Sequence, residues 1–106
     1  MFTRQVVALA LEEPLRELQL QLMENPEAGA LDPGTGGLRK VRIADPARGK
    51  GKRGGGRVHY LWLRDPSVVY MLSVYSKDEL GTLTTRQKQQ LRIVVEAIKR
   101  EWKGRS

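Results

Sequence analysis

The side chains of this sequence that are suited to phosphate chemistry are concentrated between residues 39 and 77. Lysine and arginine stabilise the charge that develops when a phosphodiester is cleaved, and a lysine or tyrosine with a perturbed pKa can transfer protons. Attack by the 2′-hydroxyl of RNA needs such groups and no histidine. The side chains concerned are Arg39, Lys40, Arg42, Arg48, Lys50, Lys52, Arg53, Arg57, Tyr75 and Lys77.

The formal net charge of +7 comes from one segment of the chain. Between residues 39 and 57 there are eight lysines and arginines against a single acid, Asp45, whereas acids and bases cancel over the remaining residues. A solvated surface normally mixes both signs, so this concentration favours a surface that binds a polyanion such as a nucleic acid. A loop that merely increases solubility is the alternative.

The composition excludes several classes of function. The 106 residues fit one domain, residues 1–106, of ordinary globular composition. With no cysteine and one histidine, the chain has no thiolate chemistry and no ribonuclease mechanism with two histidines, and a zinc site is disfavoured. No apolar run reaches the roughly 20 residues of a membrane helix, and an export signal is not apparent. The sequence therefore predicts a cytoplasmic protein that uses no metal.

Periodicity and turn residues predict an α+β fold. The predicted helices cover residues 2–10 and 14–24 and a C-terminal segment that begins at a capping box formed by Thr84 and Gln87. The predicted strands cover residues 38–44, 57–64 and 68–75, and the last two form an antiparallel hairpin. A basic glycine loop, residues 45–56, connects the first two strands.

Alternation along the hairpin predicts which side chains share a face. Arg57, His59, Leu61 and Leu63 share one face of their strand, and Val69, Met71, Ser73 and Tyr75 share one face of the next. The antiparallel pairing brings Arg53, Arg57, Tyr75 and Lys77 to the same end of the sheet. Tyr75 is either a cap on the core or a proton-transfer group, and His59 is either a packed or surface strand residue or a proton shuttle.

Four stretches together resemble the RelE-type toxins of bacterial toxin–antitoxin systems, and most closely their HigB branch. They are GTGGLRKVR (34–42), GKGKRGGGRVHYLWL (49–63), YMLSVYSKDELGTLT (70–84) and the C-terminal helix. The resemblance implies N-terminal helices and a C-terminal helix on a small, twisted, mainly antiparallel sheet. It also implies a metal-independent endoribonuclease that cuts mRNA on the ribosome, inhibits translation and needs no cofactor.

The resemblance also implies roles for individual residues. Arg57 would contact the scissile phosphate. Lys40 and Arg42 would occupy the positions of the basic residues that the family has on its first central strand. Tyr75 and Lys77 would take part in proton transfer, whereas His59 is expected to be dispensable. The residues expected to grip RNA are Arg39, Arg48, Lys50, Lys52 and Arg53.

The expected partners are the ribosome, mRNA and an antitoxin of the HigA-like, helix-turn-helix kind, with operator DNA contacted only through that antitoxin. RelE-like folds usually begin with an edge strand, but MFTRQVVALAL resembles the start of a helix, so this strand is expected to be short or missing. Two other functions fit the same residues: a non-catalytic module that binds RNA or ribosomes, and a degenerate toxin that retains only antitoxin binding.

Overall fold

The computed structural model describes residues 12–44, 49, 51, 55–64, 68–76 and 83–105. In chain order its elements are helix α1 (Glu12–Glu24), strands β1 (Ala30–Leu31), β2 (Arg39–Ile43), β3 (Gly56–Leu63) and β4 (Val68–Ser76), and helix α2 (Thr85–Arg105). The strands form one antiparallel sheet in the order β1-β2-β3-β4. The predicted α+β class is confirmed.

Helix α1 begins with a proline in its first turn and presents a leucine stripe to the sheet. Pro14 is the third residue of the helix, where its missing N–H interrupts no helical hydrogen bond. Leu18 and Leu22, one turn apart, are buried, and the half-buried Leu15 packs against the same core. The helix predicted over residues 14–24 is thus confirmed, whereas the one predicted over 2–10 lies outside the described residues.

The sheet contains the three predicted strands and one that the sequence did not predict. Strand β1 has only two residues, which pair with Lys40 and Arg39 of β2, and both are exposed. A segment of two exposed residues is too short to show the alternation of apolar and polar residues that predicts a strand. The neighbouring glycines and prolines predict only turns there.

Strands β3 and β4 form the predicted hairpin, but a β-bulge changes their register between His59 and Tyr60. His59 pairs with Ser73, whereas the next residue, Tyr60, pairs with Met71, so Leu72 is the extra residue in β4. The alternation of β4 shifts by one residue at this point. The prediction that Ser73 and Tyr75 share a face with Val69 and Met71 is therefore wrong, because it assumed an uninterrupted ladder.

The sheet separates two apolar cores. On the α1 side, the buried residues are Leu18, Leu22, Ile43, Val58, Tyr60 and Val74. On the α2 side, they are Leu38, Leu61 and Val95, with half-buried Tyr70, Leu72, Leu91 and Ile98 packed around them. Strand β3 contributes to both cores and is buried from Gly56 to Leu61. It is therefore a rigid support for Arg57 and His59, which lie near its start.

Helix α2 begins at the predicted capping box. The Thr84 N–H donates to Gln87 Oε1 (2.8 Å), and the Gln87 N–H donates to Thr84 Oγ1 (3.1 Å). Val95 is buried, whereas Val94 is 45% exposed, because it lies about 100° around the helix from Val95. Within the described ranges, neither helix has the length and apolar character needed to cross a bilayer.

Candidate functional site

The sheet face beneath α2 is apolar at one end and polar at the other. Helix α2 packs on the apolar end, around Leu61, Tyr70 and Leu72. At the other end, Lys40 and Arg42 of β2 lie opposite His59 and Arg57 of β3, and Ser73 and Tyr75 of β4 lie opposite the same two residues. Directly opposite residues share a face of the sheet. We call these six side chains the polar face: Lys40, Arg42, Arg57, His59, Ser73 and Tyr75.

Arg57 and Tyr75 are cross-strand partners at the centre of the polar face. Arg57 is 6% exposed and Tyr75 is 7% exposed, and Arg57 Nη1–H donates to the carbonyl of Gly56 (3.1 Å). On the neighbouring strand Lys40 is half-buried and Arg42 is exposed. The positive charge of the polar face thus extends from a buried guanidinium on β3 to an exposed one on β2.

A tight turn between β1 and β2 brings an acid to this face. The Asp32 N–H donates to the Leu38 carbonyl (2.9 Å), and the buried Thr35 hydroxyl donates to the Asp32 carbonyl (2.7 Å). The turn lies close against α2: a Cβ at Gly36, whose φ is +80°, would come within 3.2 Å of Arg92. The left-handed backbone therefore favours glycine there, and a Cβ would also force the Arg92 side chain to shift.

Asp32 joins His59 and Lys88 in a buried cluster. The carboxylate Oδ2 lies 2.7 Å from His59 Nε2, and Oδ1 accepts a hydrogen bond from Lys88 Nζ at 3.0 Å. The His59 side chain is fully buried, that of Asp32 is 7% exposed and that of Lys88 is 25% exposed. We call these three residues the Asp32 cluster. It connects the turn before β2, the centre of β3 and the first turn of α2.

His59 belongs to both the Asp32 cluster and the polar face, and its ring stacks on that of Tyr75. The rings of His59 and Tyr75 have centroids 5.8 Å apart and planes inclined by 23°. Two polar atoms of this pair, His59 Nδ1 and Tyr75 Oη, are buried without a hydrogen-bond partner among the residues that the structure describes. A proton acceptor and a proton donor are thus held in the same small region.

Burial and hydrogen bonding oppose each other in setting the pKa values of the Asp32 cluster. Burial raises the pKa of Asp32, but the hydrogen bonds and charges of His59 and Lys88 outweigh it and the pKa is lowered. Burial lowers the pKa of His59, and the charges of Lys40 and Lys88 add to this effect, so together they outweigh the hydrogen bond to Asp32. At neutral pH the pair is therefore a carboxylate and a neutral imidazole. The imidazole of His59 carries its proton on Nε2, because the carboxylate of Asp32 can only accept a hydrogen bond.

Tyr75 remains a phenol at neutral pH. Burial raises its pKa above the ordinary value, the charge of Asp32 adds to the effect, and the charge of Arg57 opposes it. A protonated hydroxyl in this position is a proton donor rather than a proton acceptor.

We expect the free energy of unfolding to decrease between pH 7 and pH 5. The folded-state pKa of His59 lies below its ordinary value of about 6.5, so the unfolded chain takes up the proton first on acidification. Stability present above that pH is lost as the pH falls toward the folded-state pKa. Asp32, whose pKa is lowered, adds a second loss below its ordinary pKa of about 4.

Urea unfolding followed at pH 7, 6 and 5 measures this dependence. His59→Gln removes the titrating group, so the decrease over this interval should become smaller in the variant. Equal pH dependence in the two proteins would contradict the assignment of a neutral, buried His59.

The structure brings some of the predicted site residues together and not others. Arg57, Tyr75, Lys40 and Arg42 share the polar face. Arg39 lies opposite Tyr60 on the other face, where its guanidinium donates to the Gly29 carbonyl (2.7 Å). The remaining predicted residues lie outside the described part of the chain: Arg48, Lys50, Lys52, Arg53 and Lys77.

Two residues beside the site, Asp32 and Lys88, were not predicted from the sequence. Asp32 is 27 residues from His59 and 56 residues from Lys88. In the sequence, one is a turn residue and the other a helix-surface lysine, and neither lies in a motif. The only usable signal was the single histidine in the hydrophobic run VHYLWL (58–63), since a buried polar group needs a partner somewhere in the fold.

No model of a known protein family matches this chain. What the polar face can do follows from its side chains. Its cations suit phosphate, its phenol can donate a proton, and the adjoining imidazole has one unprotonated nitrogen.

Proposed function

We propose that this protein is the toxin of a toxin–antitoxin system, a ribosome-dependent endoribonuclease of the RelE/HigB kind that cleaves mRNA and stops translation. The observation that supports this proposal best is the cross-strand pairing of Arg57 with Tyr75, with Lys40 and Arg42 on the adjacent strand. Phosphodiester cleavage requires positive charge around the phosphorus and a proton-transfer group beside it. These four residues supply both.

The two arginines of the polar face favour an anionic ligand. Arg42 and Arg57 lie directly opposite each other on neighbouring strands. Two guanidinium groups on one face of the sheet can both donate charge-assisted hydrogen bonds to a phosphate, and such bonds are stronger than those between neutral groups. Arg42 is exposed, so a phosphate from solvent can reach its guanidinium.

In the proposed reaction, the 2′-oxygen of the RNA attacks the adjacent phosphorus and the 5′-oxygen of the next nucleotide leaves. Arg57 stabilises the extra negative charge on the phosphorane, while Lys40 and Arg42 orient the RNA backbone. Tyr75, a phenol at neutral pH, donates its proton to the leaving 5′-oxygen. Lys77, which the sequence suggests as the partner in proton transfer, would accept the proton of the 2′-hydroxyl as its uncharged amine and become the ammonium. The products are a 2′,3′-cyclic phosphate and a 5′-hydroxyl.

A non-catalytic module that binds RNA or ribosomes is the second candidate, and the burial of two groups favours it. Arg57 and Tyr75 expose only 6% and 7% of their surface, whereas Arg42 is exposed. RNA can thus contact the outer part of the polar face while its inner part is largely covered. Such a module would stop translation without cutting mRNA.

Mapping of RNA ends separates the two candidates. Purified protein is incubated with ribosomes programmed with a defined mRNA, and new 5′-hydroxyl ends are mapped. The proposed function predicts cuts within the ribosome-bound codons and none in mRNA alone. Translation arrest without any new end would support the binding module and contradict the endoribonuclease.

We expect the basic glycine loop to bind phosphates rather than perform chemistry. Replacement of Lys50, Lys52 and Arg53 by Gln should weaken ribosome binding and flatten its salt dependence. Each phosphate contact adds about 0.7 to 0.9 to the slope of log affinity against log salt concentration. Filter binding over a range of salt concentrations measures this slope.

A matched control removes three exposed arginines of the helices: Arg16, Arg92 and Arg100. It changes the net charge by the same amount and should alter the slope less than the loop variant. Equal slopes for the two triple variants would mean that only total charge matters.

The proposed antitoxin should contact the basic segment, residues 39–57, or pair with an edge of the sheet. The segment carries the whole net charge and therefore favours an acidic partner surface. Strand β1 covers only two residues of β2, and a strand from a partner can extend such an edge. A structure of the complex tests this expectation, and contacts confined to other surfaces would contradict it.

A further inference from the structure

The Asp32 cluster has no role in the mechanism proposed above, although it lies against the polar face. It joins three elements through hydrogen bonds of 2.7 Å and 3.0 Å to one carboxylate. Stability alone does not explain such a cluster, because well-packed apolar residues of similar volume generally stabilise a fold as well or better. The group in contact with it on the polar face is Tyr75, whose ring stacks on that of His59.

We propose that Asp32 and His59 are positioning residues for Tyr75. Asp32 fixes the orientation and the protonated nitrogen of the His59 ring, and this ring holds the phenol of Tyr75 beside Arg57. The inference rests on the proposed RNA cleavage and adds to it the groups that keep the proton donor in place. His59 is more deeply buried than Tyr75, and its role is to hold the tyrosine rather than to bind RNA.

The imidazole of His59 is held in one orientation. Lys88 holds one oxygen of Asp32 at 3.0 Å, and the turn containing Thr35 holds its backbone, so the carboxylate has little freedom to move. Its other oxygen accepts from His59 Nε2 at 2.7 Å. A hydrogen bond to one ring nitrogen determines which nitrogen carries the proton and how the ring is oriented. Nδ1 is consequently left without a proton, on the side not occupied by Asp32.

The fixed ring of His59 in turn supports the side chain of Tyr75. Tyr75 is the last residue but one of β4, at the edge of the described sheet, where β3 is the one described strand that pairs with it. Its hydroxyl makes no hydrogen bond within the described residues, so its orientation depends on ring contacts. The fixed His59 ring, with its centroid 5.8 Å away, supplies such a contact, and Arg57 lies opposite on β3.

The sequence led to the expectation that His59 is dispensable for cleavage. As a positioning residue for Tyr75, His59 is instead needed for the full rate. A displacement of about 1 Å in a reacting group is sufficient to slow a reaction about a hundredfold. A residue that only holds a proton donor can therefore affect the chemical step strongly without changing RNA binding.

Two variants remove different parts of the arrangement. Asp32→Asn keeps the shape of the side chain but removes the charge that fixes the protonated nitrogen of His59. His59→Gln keeps a hydrogen-bond donor for Asp32 and removes the ring that stacks on Tyr75. The matched control is Tyr60→Phe, in the other core, which loses a hydrogen bond donated to the Pro26 carbonyl (2.7 Å) and one accepted from the Gly29 N–H (2.9 Å). It reduces stability without touching the polar face.

Single-turnover cleavage on programmed ribosomes is measured over a range of protein concentrations, which separates the maximum rate from the apparent affinity. We expect Asp32→Asn and His59→Gln to lower the maximum rate about 10- to 100-fold, with apparent affinity changed less than about threefold. Tyr60→Phe should retain the wild-type rate at a temperature where it is folded.

The second measurement does not depend on activity. The protein contains three tyrosines, so a spectrum of protein with labelled tyrosine rings is simple to assign, with Tyr75→Phe identifying the signal of residue 75. Loss of the stacked ring in His59→Gln, and its reorientation in Asp32→Asn, should shift this signal in both variants. It should stay in place in Tyr60→Phe.

The two measurements distinguish failure of this inference from failure of the proposed function. If the wild-type protein cuts no mRNA, the proposed function is wrong, and the Tyr75 signal alone then decides whether Asp32 and His59 position that ring. If the wild-type protein cleaves mRNA, and Asp32→Asn and His59→Gln cleave it as fast as the wild type does, the inference is overturned. The inference is also overturned if Tyr60→Phe slows cleavage as much as Asp32→Asn and His59→Gln do. The slower cleavage would then reflect lost stability.

Discussion

Arg57→Ala should lower the rate of mRNA cleavage on the ribosome about 100- to 1000-fold, the loss typical when one group that stabilises developing negative charge is removed. Arg57 is the most buried cation of the polar face, and a buried guanidinium acts on a nearby phosphate through a medium of low dielectric constant. The measurement is the single-turnover rate at saturating protein, so that weaker ribosome binding does not contribute.

Arg57→Lys is the sharper version of this substitution. It keeps the positive charge but removes the planar fork that binds two phosphate oxygens at once, so it should remain well below the wild-type rate. A module that only binds RNA needs the charge and not the fork, and it would tolerate this change. Full translation arrest by Arg57→Lys would therefore contradict the enzymatic proposal.

Tyr75→Phe is the companion variant for the proton donor. It removes a hydroxyl that makes no hydrogen bond among the described residues, so the fold should lose little stability. A general acid contributes roughly 100-fold or more, and the variant should be slowed accordingly. Thermal unfolding of each variant provides the control that the folded protein is being assayed.

Asp32→Ala should reduce the free energy of unfolding by about 3 kcal/mol, because a buried donor left without its acceptor costs about 1 to 3 kcal/mol and a lost hydrogen bond between charged groups adds to this. The substitution removes at once the acceptor of His59, which is fully buried, and that of Lys88. His59 cannot regain a hydrogen bond to water without opening the contact between the turn, β3 and α2, whereas Lys88 is 25% exposed and keeps its hydrogen bond to the Pro33 carbonyl (3.3 Å). Urea unfolding at pH 7 measures the difference.

The control for Asp32→Ala is Glu96→Ala. Glu96 also accepts a hydrogen bond at 3.0 Å, from Arg92, but both side chains are about half exposed on the surface of α2. Exposed pairs one turn apart on a helix contribute only about 0.3 to 0.5 kcal/mol, so this variant should be nearly as stable as the wild type. A loss below about 1 kcal/mol for Asp32→Ala would mean that the Asp32 cluster is solvated and contributes as a surface pair does.

Features that depend on neighbours in the chain could be predicted from the sequence. The leucine spacing in α1, the capping box of α2 and the alternation of β3 are local patterns. They are confirmed by the burial of Leu18 and Leu22, by the hydrogen bonds between Thr84 and Gln87, and by the packing of Tyr60 and Leu61 in opposite cores. The pairing of β3 with β4 follows from their antiparallel order, and it alone places Arg57 near Tyr75. The concentration of positive charge is likewise a property of the sequence.

Features that depend on contacts between distant segments required the tertiary structure. The bulge between His59 and Tyr60 changes which residues of β4 face α2, and no residue type in β4 indicates it. The Asp32 cluster unites residues separated by 27 and 56 positions, and the turn that carries Asp32 is placed by its packing against α2. The sequence alone therefore determined helices α1 and α2, strands β2 to β4 and the charge of the polar face. Only the tertiary structure decided how Tyr75 is held and in which state His59 is buried, because burial and hydrogen-bond partners exist only after the elements pack.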